Sequence, residues 1–235
     1  MASSYRDRSV ASRTRMVVFG AILAVGLLAA IPALANDNHC YFTVAGGTTY
    51  HVCDDHWHGT GAGFLISTSI PSTWDQRLQA AAGKWNGQTK YHPGVGSRVA
   101  STDPGVGHLI WLGQIPAAWA AGCPTGSTLA CTGTSGLIYT TLTTPHGSGT
   151  RLGHITDADI VFNKAFKNEF QTNNLLCTAN VGYDVQTVAL HELGHTGGLD
   201  HAAAATDTMF ASYSKCARAL NDHGSMTSLY THAGH

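Results

Sequence analysis

The chain has 235 residues, of which 43% are hydrophobic and only 11% charged, with a formal net charge of −1. This balance excludes a strongly basic nucleic-acid surface. It equally excludes the high-charge, low-hydrophobicity composition that keeps a chain disordered.

The first fifteen residues carry Arg6, Arg8, Arg13 and Arg15 against a single Asp7, and Met16 to Ile31 is an apolar run followed by Ala33-Leu34-Ala35. A basic start, an apolar stretch and a small-x-small site predict a secretory leader over residues 1–35, with the mature chain beginning at Asn36. The alternative is an uncleaved membrane anchor, which needs about 20 apolar residues. Removing the leader leaves 9 Lys+Arg (13 less four) and 13 Asp+Glu (14 less one), a net charge of −4. The expected product is a secreted monomer with no nucleic-acid partner and, once cut, no membrane attachment. It divides into a short extension over 36–62 and one domain over 63–235.

All six cysteines follow the leader, so disulfides are the default in an oxidising compartment. Cys40 to Val44 and Thr48 to Cys53 read as two strands about a Gly46-Gly47 turn. Counting outward from those glycines sets Cys40 opposite Cys53, close enough to bond. Cys123 with Cys131 and Cys177 with Cys216 then follow largely by elimination. Asp54-Asp55-His56-Trp57-His58 reads as a polar linker, the alternative being a second metal site.

Phe64 to Ile70 is a short apolar strand, and Pro71-Ser72-Thr73 offers a cap for a helix. Trp74, Leu78, Ala81 or Ala82, and Trp85 recur at helical spacing and predict a buried helix face. Val99–Thr102 and His108–Gly113 are further strands about an Asp103-Pro104-Gly105 turn. Ala117–Ser135 is an insertion to which no place is assigned. Gly136–Thr143 is rich in β-branched residues, and Ile155–Asn163 alternates like a half-buried strand.

The most informative stretch is His191-Glu-Leu-Gly-His-Thr-Gly-Gly-Leu-Asp-His201. His191 and His195 are one helical turn apart and face the same way, a two-nitrogen claw for a metal. Glu192 sits one position off that face, where it reaches a metal-bound water without becoming a ligand. Asp184 is placed to cap the helix. Gly197-Gly198 is where the helix ends cheaply, so that His201 arrives from outside it. Three imidazoles and an open position define a catalytic zinc site, whereas a structural site is closed by a fourth protein ligand.

This signature resembles that of the metzincin metalloendopeptidases, and its surroundings are most similar to the matrixin branch and its bacterial relatives. A metzincin carries a methionine turn downstream, and Thr206-Asp-Thr-Met-Phe-Ala-Ser-Tyr213 supplies Met209. The resemblance implies an α+β fold with a twisted, mostly parallel sheet, an antiparallel edge strand, an active-site helix and a C-terminal helix over Ala219–Tyr230. It implies a substrate-binding edge at Leu137, Ile138, Tyr139 and Thr140, and a pocket wall at Ala211, Ser212 and Tyr213. The expected activity is hydrolysis of protein or peptide substrates by one catalytic zinc, with Glu192 as general base and acid and Met209 as a hydrophobic floor. No motif speaks for or against calcium.

Departures from the family pattern are Gly197 where matrixins carry Leu, Phe210-Ala211 in place of Tyr-Pro, and His223-Gly224 in the last helix. No cysteine-switch sequence lies between Ala35 and Phe64.

Overall fold

The computed structural model describes residues 18–24, 40–44, 48–52, 56–57, 61–124, 126–138, 153–202, 204–213, 216–221 and 226. In chain order the strands and helices are β1 (Val18–Ala24), β2 (Cys40–Val44), β3 (Thr48–Val52), β4 (His56–Trp57), β5 (Gly63–Ser67), α1 (Asp75–Gln88), β6 (Gly94–Val99) and β7 (Leu109–Gly113). They continue with β8 (Thr128–Ile138), β9 (Gly153–Asn163), β10 (Phe170–Gln171), α2 (Asn174–Thr178), β11 (Tyr183–Asp184), α3 (Val185–Thr196) and β12 (Ser212–Tyr213).

The main sheet runs β12-β1-β8-β9-β7-β5-β6. Strands β6, β5, β7 and β9 are mutually parallel, and β8 lies antiparallel to β9. This is the α+β architecture expected, with one antiparallel strand on a mostly parallel sheet. Parallel strands are buried on both faces, which is why β7, Leu-Ile-Trp-Leu-Gly, is a continuous apolar run. On one face, α1 sets Leu78, Ala81, Ala82 and Trp85 into the core. Trp85 Nε1–H donates to the Leu190 carbonyl at 3.0 Å, tying α1 to α3. No helix among the described residues is long and apolar enough to cross a membrane.

Several boundaries differ from expectation. Pro71 opens a 3-10 turn over Ser72–Trp74 rather than a capped helix, and α1 follows directly from it without a side-chain cap. The strand expected at 136–143 begins at Thr128 instead, inside the stretch expected to be an insertion. The rest of that stretch covers the sheet's second face. Trp119 stacks edge-on against Trp111 at 5.7 Å, and a Cys123–Cys131 bridge fastens the segment to β8 with Cα atoms 6.1 Å apart.

The hairpin register is also corrected. Cys40 stands opposite Val52 and Val44 opposite Thr48, so three residues rather than two make the turn, and Cys53 is not Cys40's cross-strand partner. Cys53 itself lies outside the described residues, as do Tyr139, Thr140 and all of the expected C-terminal helix after Asn221 except Met226. His56 and Trp57 are not linker but a short strand, paired in parallel with His154 and Ile155 of β9. Of the expected leader, Val18–Ala24 form β1, antiparallel to β8 and parallel to β12, and the remainder lies outside the described residues.

Where β7 meets β9, buried Asp159 accepts the Leu109 amide at 2.8 Å. Burial, with Asp157 and Asp103 nearby, pushes its carboxyl up to about 8. A folded-state pKa raised above the unfolded value means that stability is lost as pH rises from about 4 towards 8. Asp159→Asn keeps the acceptor without the charge, so the difference between urea midpoints at pH 5 and pH 8 should shrink. An unchanged difference would show that Asp159 ionises freely.

Candidate metal and catalytic centre

Helix α3 is started by Asp184, whose carboxylate accepts the Thr187 amide at 2.9 Å. The same carboxylate pairs with Arg218, so the helix start is bound to the chain beyond β12. Tyr213 of the expected pocket wall points to this end, its hydroxyl accepting the Asp184 amide at 3.0 Å. A Cys177–Cys216 bridge closes the same corner.

Down the helix, His191 and His195 are both buried, and their Nε2 atoms stand 2.9 Å apart. Each ring is aimed by its other nitrogen, since His191 Nδ1 donates to the Thr208 carbonyl at 2.9 Å and His195 Nδ1 to the Leu199 carbonyl at 2.7 Å. With Nδ1–H committed, Nε2 presents its lone pair, which is the tautomer a metal needs. Burial, reinforced by His201, lowers His191 to about 3. His195 is lowered by burial and by both neighbouring histidines. The pair is therefore neutral at pH 7, with two lone pairs facing each other, an arrangement that is repulsive without a cation.

His201 completes the set from the loop, its ring centroid 5.3 Å from that of His191 and 4.8 Å from that of His195. One ligand atom from each of the three lies within 4.8 Å of the others. Three neutral nitrogens from a helix and a loop fit zinc in donor type and number.

Glu192 is fully buried. Thr132 of β8 donates its hydroxyl to Glu192 Oε2 at 2.6 Å, while Oε1 has no partner among the described residues. Burial raises the carboxyl to about 8, against the pull of the Thr132 bond. A cation at the imidazoles would favour ionisation in the same direction as Thr132. Thr132 is the site residue that sequence reasoning missed, because its segment reads as an insertion. The available signal was that Thr128, Thr132 and Thr134 are spaced by even numbers and so fall on one face of a strand.

The helix ends as its glycines require. Gly197 is the cap and Gly198 adopts φ +100°, open chiefly to glycine. A side chain on Gly197 would run into Met226 and approach Tyr91 Cδ1 to 2.9 Å, so the volume of the family's Leu is filled here by other residues. Met209 is buried beneath the helix, and a Cβ on Gly194 would strike its sulfur. Ala211 precedes β12, whose Ser212 and Tyr213 pair with Leu23 and Ala24. Leu137 and Ile138 end β8 opposite His154 and Gly153.

A helix bearing two histidines and a glutamate, a third histidine beyond a glycine turn, and a methionine packed below them on a mostly parallel sheet define the metzincin class. Within it, the matrixin family model matches residues 126–231, which take in β8, α3, the three histidines and the methionine turn, and this match supports a matrixin-like metzincin. No curated protein matches the chain. Matrixins are zinc metalloproteases, which agrees with the histidine triad.

Proposed function

We infer that this chain is a secreted zinc-dependent endopeptidase, with His191, His195 and His201 as ligands and Glu192 as the proton carrier. The observation that carries this reading is the buried Glu192 carboxylate, held at one oxygen by Thr132 and unpartnered at the other beside three converging imidazoles. Zinc bound there supplies a Lewis acid that polarises a carbonyl and brings the pKa of its water to about 7. Glu192 Oε1 would be the group to take a proton from an attacking water and to give it to the leaving amine, while the Thr132 bond to Oε2 keeps the carboxyl group from rotating. A zinc-binding protein without turnover has no use for a carboxylate so placed.

An extended peptide is the substrate that suits strand β8, since its outer edge can form backbone hydrogen bonds. In the full chain that edge is taken by β1, which also reaches β12. This supports the leader as the element to be removed. The chain beginning at Asn36, loaded with zinc, should cut a denatured protein library, as read by mass spectrometry, and stop when a chelator is added. It should be at least about tenfold more active than the chain retaining residues 1–35, because strand addition needs an unpaired edge. Equal activity of the two forms would separate β1 from any effect on the cleft. Absence of cutting by the zinc-loaded mature chain would sink the endopeptidase reading.

A further inference from the structure

The weakest point of the metal centre is the path from helix to third ligand. His191 and His195 are fixed by α3, but His201 is exposed and comes from a loop five residues past the last helical position, Thr196. Where that loop goes depends on the direction in which the chain leaves the helix. The final carbonyls of a helix have no partner within it. The carbonyl of Thr196 is one of these, and it accepts the indole N–H of Trp57 at 2.7 Å from 139 positions away.

Trp57 is held as firmly as the bond it makes. Its backbone is paired with Ile155 of β9, the residue is 7% exposed, and its ring meets His108 edge-to-face at 4.8 Å. Tyr91 grips the same residue from a second side, its hydroxyl 2.7 Å from Thr196 Oγ1. Thr196 Oγ1–H already donates to the Leu193 carbonyl at 2.8 Å, so Tyr91 is the donor in that pair. Tyr91 and Trp57 also contact each other. The chain therefore enters Gly197-Gly198 with both its carbonyl and its side chain clamped. Three residues past the clamp, the Leu199 carbonyl receives His195 Nδ1 at 2.7 Å, so the loop is tied to α3 again just before it delivers His201.

We propose that Trp57 is a positioning residue for the metal centre: by holding the Thr196 carbonyl it fixes the helix exit that places His201, the one ligand that α3 does not carry. Residues upstream of the catalytic domain are thereby a working part of the site. The proposal rests on the three histidines being the zinc ligands.

Trp57→Phe tests it, since phenylalanine keeps an aromatic ring in the slot and deletes the N–H. Zinc affinity is measured by chelator competition in four proteins: wild type, Trp57→Phe, His201→Ala and the double variant. A buried hydrogen bond is worth about 1 kcal/mol, so Trp57→Phe should weaken zinc by about five- to tenfold. If Trp57 acts through His201, the further loss in the His201→Ala background should be less than about twofold. The visible spectrum of the cobalt-substituted protein should shift in Trp57→Phe and be the same in the double variant as in His201→Ala. An undiminished affinity in Trp57→Phe, or an equal loss in both backgrounds, overturns the proposal. Wild type that binds no zinc overturns the ligand assignment instead. Should Trp57→Phe fail to fold, Tyr91→Phe removes one oxygen from the same clamp and is read by the same comparison.

Discussion

Glu192→Gln is expected to retain about one zinc per chain and to lose peptidase activity by roughly 10⁴-fold or more. The retention follows from geometry, because the carboxylate touches Thr132 and not the imidazoles. A glutamine oxygen can still accept the Thr132 hydroxyl, which leaves the amide NH₂ where Oε1 stood. A donor then replaces the acceptor that must take the proton. General acid–base catalysis is typically worth about 10²–10⁴-fold, and one group here serves in both directions, which puts the loss at the upper end or above. Metal analysis alongside kcat/KM is the measurement. Near wild-type turnover at full zinc occupancy would be decisive against the proposed mechanism.

His195→Ala should fail differently. It removes a proposed ligand and also the Nδ1–H that holds the Leu199 carbonyl, so on this reading zinc and the helix-to-loop strap go together. A ligand present at a hundred times its Kd stabilises the fold by about 2.7 kcal/mol. For a chain of this size that corresponds to a Tm lower by roughly 5–10 °C. Wild type stripped by a chelator should fall by a similar amount, and the variant should no longer respond to the chelator. A variant with undiminished zinc and an unchanged Tm would remove His195 from the ligand set.

The site was legible in the sequence where its geometry is local. Residues four apart on a helix must face together, and a Gly-Gly pair must end it, so the ligand spacing could be read without a fold. The buried stripe from Trp74 to Trp85 was legible for the same reason. What was lost is what depends on partners distant along the chain. Thr132 reaches Glu192 across sixty positions, and nothing near Thr132 announces a carboxylate. Trp57, among Asp54, Asp55, His56 and His58, looks like part of a polar linker. Its strand is only two residues long and takes its pairing from β9. In the hairpin, a turn longer by one residue displaced every cross-strand partner, because side chains alternate faces with a period of two.

The Cys177–Cys216 bridge makes residues 178–215 a covalent ring, and that ring holds Glu192, all three histidines and Met209. A protease is surrounded by copies of itself, and the exposed stretches of this ring, such as Ala204 to Thr206, are open to nicking. One cut there opens the ring without releasing either piece: the new ends stay on one molecule, with the Met209 segment still linked through Cys216 to the segment that carries the three histidines. Self-digestion at that place would pass unseen on a gel run without reductant. Reducing agent would then release the Met209 segment from beneath the histidines and silence molecules that had survived the cut, so sensitivity to reductant should grow with the age of the preparation.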